Sequence, residues 1–290
     1  MSQKNLLRIS IILFFVCLFF LALVPIIGIE VKSSKRWLDL FFLPRFQPIE
    51  FLKPFIIILL ATILSSKKNF HIYYKYFLSL IAILPIALLL IMQPDIGQTL
   101  LIFLSWLTLV FISGISLIIF LSFFGISFLV LSYLIYTIPR LEYIRSRIHS
   151  FFNPETGTHT GQSEKAIDAI TSGGFFGKGI GEGTLKNRVP EAHTDYLVSV
   201  ISEEFGVTVI ILLLIVFLFF IYNVFKKINL EKDEKIKLIL AGSITLMLIQ
   251  TLIHLGVNIS LFPTTGMTLP YLSYGGSSII GVSILSGIIL

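Results

Sequence analysis

A chain of 290 residues that is 56% hydrophobic and 13% charged, with a mean hydropathy of +0.94, is far more apolar than an ordinary soluble domain. That excludes a soluble enzyme, and the net charge of +6 does not point to nucleic acid, because the cations collect in turns between apolar runs, where anionic lipid head groups or phosphates suit them. The runs are long enough to cross a bilayer as helices, so the fold expected is all-α, a polytopic membrane protein.

Eight spans are expected. The first, Leu6 to Ile27, follows Lys4 and Arg8 as the core of a signal peptide would. It is long and lacks a small-residue cleavage site, so it is read as a span. It contains Cys17, the single cysteine, which offers neither a disulfide framework nor a metal cluster. The segment from Gly28 to Pro48 is polar, with Glu30, Lys32, Lys35, Arg36, Trp37, Asp39 and Arg45. It leads into the second span, which runs to Ser65. Pro48 suits the first turn of that helix and puts Glu50 and Lys53 three residues apart on one face. After a basic turn with Lys67, Lys68 and Lys75 comes span three, Tyr76 to Met92. The tight turn QPDIGQ follows, and Asp95 within it is either a turn residue or a partner of Arg36 or Lys53.

Spans four and five, Thr99 to Ser113 and Ile115 to Ile138, are nearly uncharged and read as scaffold. The loop from Pro139 to Asp195 carries seven Lys or Arg and seven Asp or Glu, and its length marks it as functional. Short surface helices are expected at Tyr143 to Phe152 and Ser163 to Thr171. Span six is Tyr196 to Phe225, and at least one of its acids Glu203 and Glu204 must face protein or water. Span seven, Ile236 to Leu261, spaces Gln250, His254 and Asn258 on one stripe, read as hydrogen bonding between helices more than as substrate contact. The uncharged loop FPTTGMTLPYLSYGGSS precedes span eight, Ile279 to Leu290; in it Tyr274 and Ser277 either line a cavity mouth or allow close helix packing.

Short basic turns favour the cytoplasm. With Lys67 to Lys75 and Lys226 to Lys237 placed there, every other polar peculiarity falls on the outer face. Lys32, Lys35, Arg36, Arg45 and Lys53 are then held against the positive-inside tendency, as cations that bind a phosphate would be.

The most informative stretch runs from Gly173 to Gly206. It opens with six glycines up to Gly183 and reaches Asp195 where the apolar run begins. Asp195 is either a helix cap or a working acid. The glycines either cradle phosphate or form a flexible lid, and a lone glycine cluster favours the lid.

The segments SSKRW, QPIEFLKP, QPDIGQTLL, GKGIGEG, PEAHTDYLVSVISEEFG and TTGMTLPYLSYGGSS, in that order, resemble the SEDS family of FtsW and RodA proteins, nearer its cell-division branch. The resemblance covers about Gly28 to the C-terminus. It implies a membrane glycosyltransferase that polymerises lipid II into a growing glycan, with Asp195 catalytic, and Arg36 and Lys53 beside an outer cavity. Glu50, Asp95, Lys186, His193, Thr194 and Ser277 complete the substrate-binding candidates. It further implies a class B penicillin-binding transpeptidase and other divisome proteins as partners, and a place in the bacterial inner membrane at the septum with the site on the periplasmic face. The sequence departs from the family at Ile49, usually Ser, at Ser33, commonly Gly, and in span count: the family has ten, so its two N-terminal helices are expected to be missing.

Transfer of a sugar from a lipid diphosphate to a hydroxyl needs a base near the hydroxyl and positive charge near the departing diphosphate. Asp195 suits the first need. Arg36 and Lys53, with Lys186 or Arg188, suit the second, alone or with a divalent cation (Mg or Mn) held by carboxylates. One singled-out carboxylate fits an inverting displacement. Two other classes stay open: a flippase using the stripe on span seven as its path, and a divisome scaffold.

Overall fold

The structure, a computed structural model, describes residues 3–31, 34–40, 43–66, 72–152 and 160–290. Lys32, Ser33, Lys67 and Lys68, along with residues 153–159 of the long loop, lie outside them. Each apolar run of the sequence forms helix: α1 (Gln3–Ile27), α2 (Pro48–Leu64), α3 (Ile72–Met92), α4 (Ile96–Ile112), α5 (Leu117–Thr137), α9 (Val207–Leu230), α10 (Glu234–Asn258) and α11 (Gly276–Ile289). Between them lie α6 (Glu142–Phe152), α7 (Thr160–Gly173) and α8 (Leu197–Phe205). By length and composition α1, α3, α5, α9 and α10 can cross a membrane, and α4 and α11 are shorter apolar helices. Their outward side chains are large and apolar: Phe19, Phe77, Leu121, Phe128 and Phe219 are all more than half exposed. Such a surface is stable only in lipid.

The sequence reading is departed from in three places. The polar segment after α1 folds as three short antiparallel strands, β1 (Ile29–Val31), β2 (Ser34–Leu40) and β3 (Leu43–Phe46), in the order β1-β2-β3. An alternation of charged and apolar residues over so short a span gave little sign of them. Span six starts at Val207, not at Tyr196, because the run from Tyr196 is a separate helix, α8, ended at Gly206 with φ +80. A Cβ at Gly206 would stand 2.2 Å from the Phe175 carbonyl oxygen, so the break needs glycine. Finally, α10 stops at Asn258, three residues before the expected end. The two loop helices fall where they were expected, as α6 and α7.

The chain forms two compact units, and α5, α9 and α10 each contribute to both: one is Met1–Ser122, Val224–Ile249 and Gly275–Leu290, the other Phe123–Asn223 and Gln250–Tyr274. In the first, α1 to α4 and α11 bury Leu21, Val24, Leu52, Ile56, Leu101 and Trp106. The Trp106 indole donates to Ser79 Oγ at 2.9 Å, so the largest buried side chain leaves no polar atom unmet. Gly281 lets α11 lie on α2, since a Cβ there would meet the Glu50 carbonyl oxygen at 2.4 Å. That close approach brings Ser277 to the start of α2. In the second unit α7 packs on α8, and the glycine loop after α7 folds back over the end of α8.

Candidate functional site

In the first unit the polar residues gather at the starts of α2 and α4. Lys53 Nζ donates to Glu50 Oε1 at 2.8 Å, as their three-residue spacing predicts, and Gln98 Nε2 donates to the same oxygen at 2.7 Å. Asp95 caps α4: its carboxylate accepts from the Gln98 backbone N–H, at 3.4 Å, and from Gln47 Nε2, at 3.1 Å. Arg36 Nε lies 3.7 Å from Asp95 Oδ2, and its guanidinium also donates to the Pro94 carbonyl. Asp95 is therefore a turn residue and an ion-pair partner at once. Ser277 Oγ accepts from the Gln47 backbone N–H at 3.0 Å and so belongs to the same bed.

Glu50, Lys53 and Asp95 are each no more than 3% exposed, whereas the Arg36 side chain keeps 16%. Two cations and two carboxylates balance within the bed, with Lys53 beneath and Arg36 the more accessible. Burial pushes the Asp95 carboxyl above its ordinary value against the pull of Arg36. Beside this bed an apolar groove of about 460 Å³ runs between α1, β3 and the starts of α2 and α11, lined by Phe20, Phe46, Phe51 and Ile280.

In the second unit the segment carrying Asp195 is a turn. The backbone N–H groups of Thr194, Asp195 and Tyr196 all converge on the carbonyl of Glu191, which is left-handed at φ 56. Three successive carbonyls beyond Ala192 are taken up from outside: His193 O by the Tyr274 N–H at 3.0 Å, Thr194 O by Ser273 Oγ at 2.8 Å and Asp195 O by Asn258 Nδ2 at 2.9 Å. Asn258 Oδ1 in turn accepts the Ser199 N–H, at 3.2 Å, in the first turn of α8. Tyr196, not Asp195, occupies the cap position of that helix, so the cap reading of Asp195 falls away. The Asp195 side chain is half-buried on a backbone fixed at every polar group, and His193 is exposed. Burial raises the Tyr196 phenol above its ordinary value, and the charges of Asp195 and Arg147 both reach it. Arg147, from α6, is thus a cation of this neighbourhood that the sequence reading missed; only its place on the basic side of a loop helix hinted at it.

The stripe on α10 turns out to hold loops. Gln250 donates to the Thr268 carbonyl at 2.9 Å, the His254 ring bonds the Met267 carbonyl at 2.7 Å, and Asn258 fixes Asp195. These bonds go to loop backbone, where helix–helix bonds were expected, and they engage the stripe on which a flippase path rested.

The glycine loop is likewise committed. Glu203, fully buried, accepts from the backbone N–H of Leu185, at 2.9 Å, and of Lys186, at 2.6 Å, with Lys178 Nζ at 3.5 Å. Glu204 accepts from the Gly181 N–H and pairs with the Lys186 ammonium. Burial alone would raise the Glu203 carboxyl, but these donors hold it below its ordinary value. Loop donors that a phosphate would need already serve two carboxylates, so the cradle reading gives way to a loop clamped on α8. Lys186 lies in that clamp, while Arg188 is exposed.

Apolar spanning helices, a bed of paired charges and a pinned acidic turn define a polytopic helical membrane protein with a built polar site in each unit. Comparison with known proteins narrows this: the FtsW/RodA/SpoVE cell cycle protein family matches residues 1–290, and the chain belongs to that family. It is 32% identical, over all of its length and 73% of the relative, to a probable peptidoglycan glycosyltransferase FtsW of Caulobacter vibrioides. To that of Nitrosomonas europaea it is 36% identical over 95% of the chain and 72% of the relative. Among solved structures it is similar, with a TM-score of 0.81 and 26% identity over the whole chain and 82% of the other, to a component of a peptidoglycan synthase complex that coordinates polymerization and crosslinking. The rod shape determining protein RodA of Thermus thermophilus matches with a TM-score of 0.70 and 27% identity, over the whole chain and 79% of the other.

Proposed function

We propose that the chain is a peptidoglycan glycosyltransferase that polymerises lipid II, with Asp195 as its general base. The observation that carries this is the state of Asp195: a half-buried carboxylate, outside the cap position, on a turn whose carbonyls are held by Asn258, Ser273 and Tyr274. Backbone fixed in this way holds the acid's position, as a base must be held. The acceptor sugar hydroxyl gives its proton to the Asp195 carboxylate as its oxygen bonds to the anomeric carbon. The bond from that carbon to the diphosphate breaks, its electron pair leaving with undecaprenyl diphosphate. Attack and departure on opposite faces invert the centre. Positive charge eases the departure, and Arg188, in the same unit as Asp195, keeps the exposure such a role needs.

Among the described residues no three His, Cys, Asp or Glu side chains gather as a metal site. A divalent cation would be held through one or two carboxylates together with the substrate's phosphates, as Mg²⁺ commonly is, and would help neutralise the leaving diphosphate. The reading also places the enzyme in the inner membrane at the division septum, its site on the periplasmic face, with a single-span penicillin-binding transpeptidase to cross-link the strands. The test is polymer formation from lipid II by purified protein in detergent, compared with Asp195→Asn. Loss of polymer from a protein that unfolds at the same temperature supports the base; undiminished polymer removes Asp195 from the role.

A further inference from the structure

The glycine loop has one feature that glycosyl transfer does not use. Phe175, Phe176 and Ile180 project from it and are 75%, 87% and 79% exposed. They do not sit on a loosely held loop. Gly177 N–H bonds Gly173 O at 2.8 Å, Lys178 N–H bonds Glu203 O at 2.9 Å and Gly179 N–H bonds Glu204 O at 3.0 Å. Gly177, at φ +77, packs so near α8 that a Cβ would lie 2.1 Å from the Glu204 carbonyl oxygen. A backbone held this closely while presenting three large apolar side chains outward marks an interaction surface.

Its depth says which one. The Val207 N–H donates to the Gly174 carbonyl at 3.0 Å, and the Thr208 hydroxyl to the Phe175 carbonyl at 2.6 Å, so the loop is bonded to the first turn of the spanning helix α9. From Val207 to Phe225 that helix carries no charge, and Lys226 and Lys227 follow. At about 1.5 Å per residue this uncharged length is roughly 28 Å, close to the ~30 Å hydrocarbon core of a bilayer. With the lysines at one boundary, Val207 has to lie at the other, and Phe175 and Phe176 lie level with it.

We propose that Phe175, Phe176 and Ile180 insert into the membrane interface at the face where α9 begins, as an anchor of the glycine loop. Lys178 and Lys186, on the same loop, keep their ammonium groups on Glu203 and Glu204, so the loop's own cations are paired within the protein. Because α8 carries those acids and starts two residues after Asp195, the anchor ties the acid to the membrane plane, at a fixed depth for a substrate whose head group stands there. The anchor stands on the position of α9 and holds whatever reaction the chain performs.

The test uses the full chain in lipid nanodiscs, with Cys17→Ala removing the native thiol and Phe176→Cys carrying an NBD label. The expected result is blue-shifted emission, quenched several-fold more by lipids bearing a shallow nitroxide than by aqueous iodide. The same label at Ile180→Cys gives the same pattern and covers the case in which the first variant fails to assemble. Water-like emission quenched by iodide at both positions overturns the anchor. So does a blue shift that appears only when a single-span partner protein is added, since the surface would then belong to a protein.

Discussion

The bed at the starts of α2 and α4 and the turn before α8 use similar residues to opposite ends. In the bed, charged side chains are spent on one another, Lys53 on Glu50 and Arg36 on Asp95, and Gln98 also donates to Glu50 and Gln47 to Asp95. In the turn, Asn258, Ser273 and Tyr274 hold the backbone carbonyls through neutral groups, and the Asp195 side chain stays half-exposed. A buried charge that is paired serves structure, because desolvation makes an unpaired one costly. A reactive group has to be held by something other than its own charge. Polarity alone therefore separates neither kind of site; what the charge is bonded to does.

Substitutions at the two places should accordingly fail in opposite ways. The largest effect is expected from Asp195→Ala, which removes the proposed base: polymer formation should fall by about 10² to 10⁴-fold, with the unfolding temperature unchanged. A variant that loses activity and stability together would show that the turn depends on the acid after all. Lys53→Met should do the reverse and cost roughly 3–5 kcal/mol of stability by leaving Glu50 buried and uncompensated. Adding Glu50→Gln should recover part of the loss, and a double-mutant cycle on detergent unfolding measures the coupling.

Glu203→Gln should cost about 1.5–3 kcal/mol through its charge-assisted bonds to loop backbone, seen as faster proteolysis within 174–188. Since Glu203 titrates below its ordinary value when folded, its contribution is present above the pKa it has in the unfolded chain and is lost as pH falls through the folded one. Loop protection in the parent should therefore decline on acidification, and in Glu203→Gln much less. Asp95 carries the opposite sign: its raised folded value favours the protonated form, a contribution present below its unfolded pKa and lost as pH rises through the folded one. The smallest effect is expected from Ser273→Ala, which removes two neutral bonds, one to the Thr194 carbonyl and one from the Leu269 N–H, about 1–3 kcal/mol together. If the turn positions the base, kcat should drop with KM nearly unchanged.

Much of this protein could be read before any coordinates. Apolar runs of spanning length force helices in lipid whatever their neighbours, so every run was found. The Glu50–Lys53 pair follows from three-residue spacing on one helix, and PEAHTD stood out as an acid at the foot of an apolar segment. Local pattern reached no further than that. It could not show that Tyr196 to Phe225 is two helices, because the break depends on the Phe175 carbonyl pressing on Gly206 from another segment. Nor could it show that Glu203 faces Leu185 and Lys186, or that Asn258 reaches Asp195, 63 residues away. Periodicity and spacing act within a few residues along the chain. Which carboxylate becomes a clamp is settled by donors brought from far away in sequence, and only the folded arrangement supplies those.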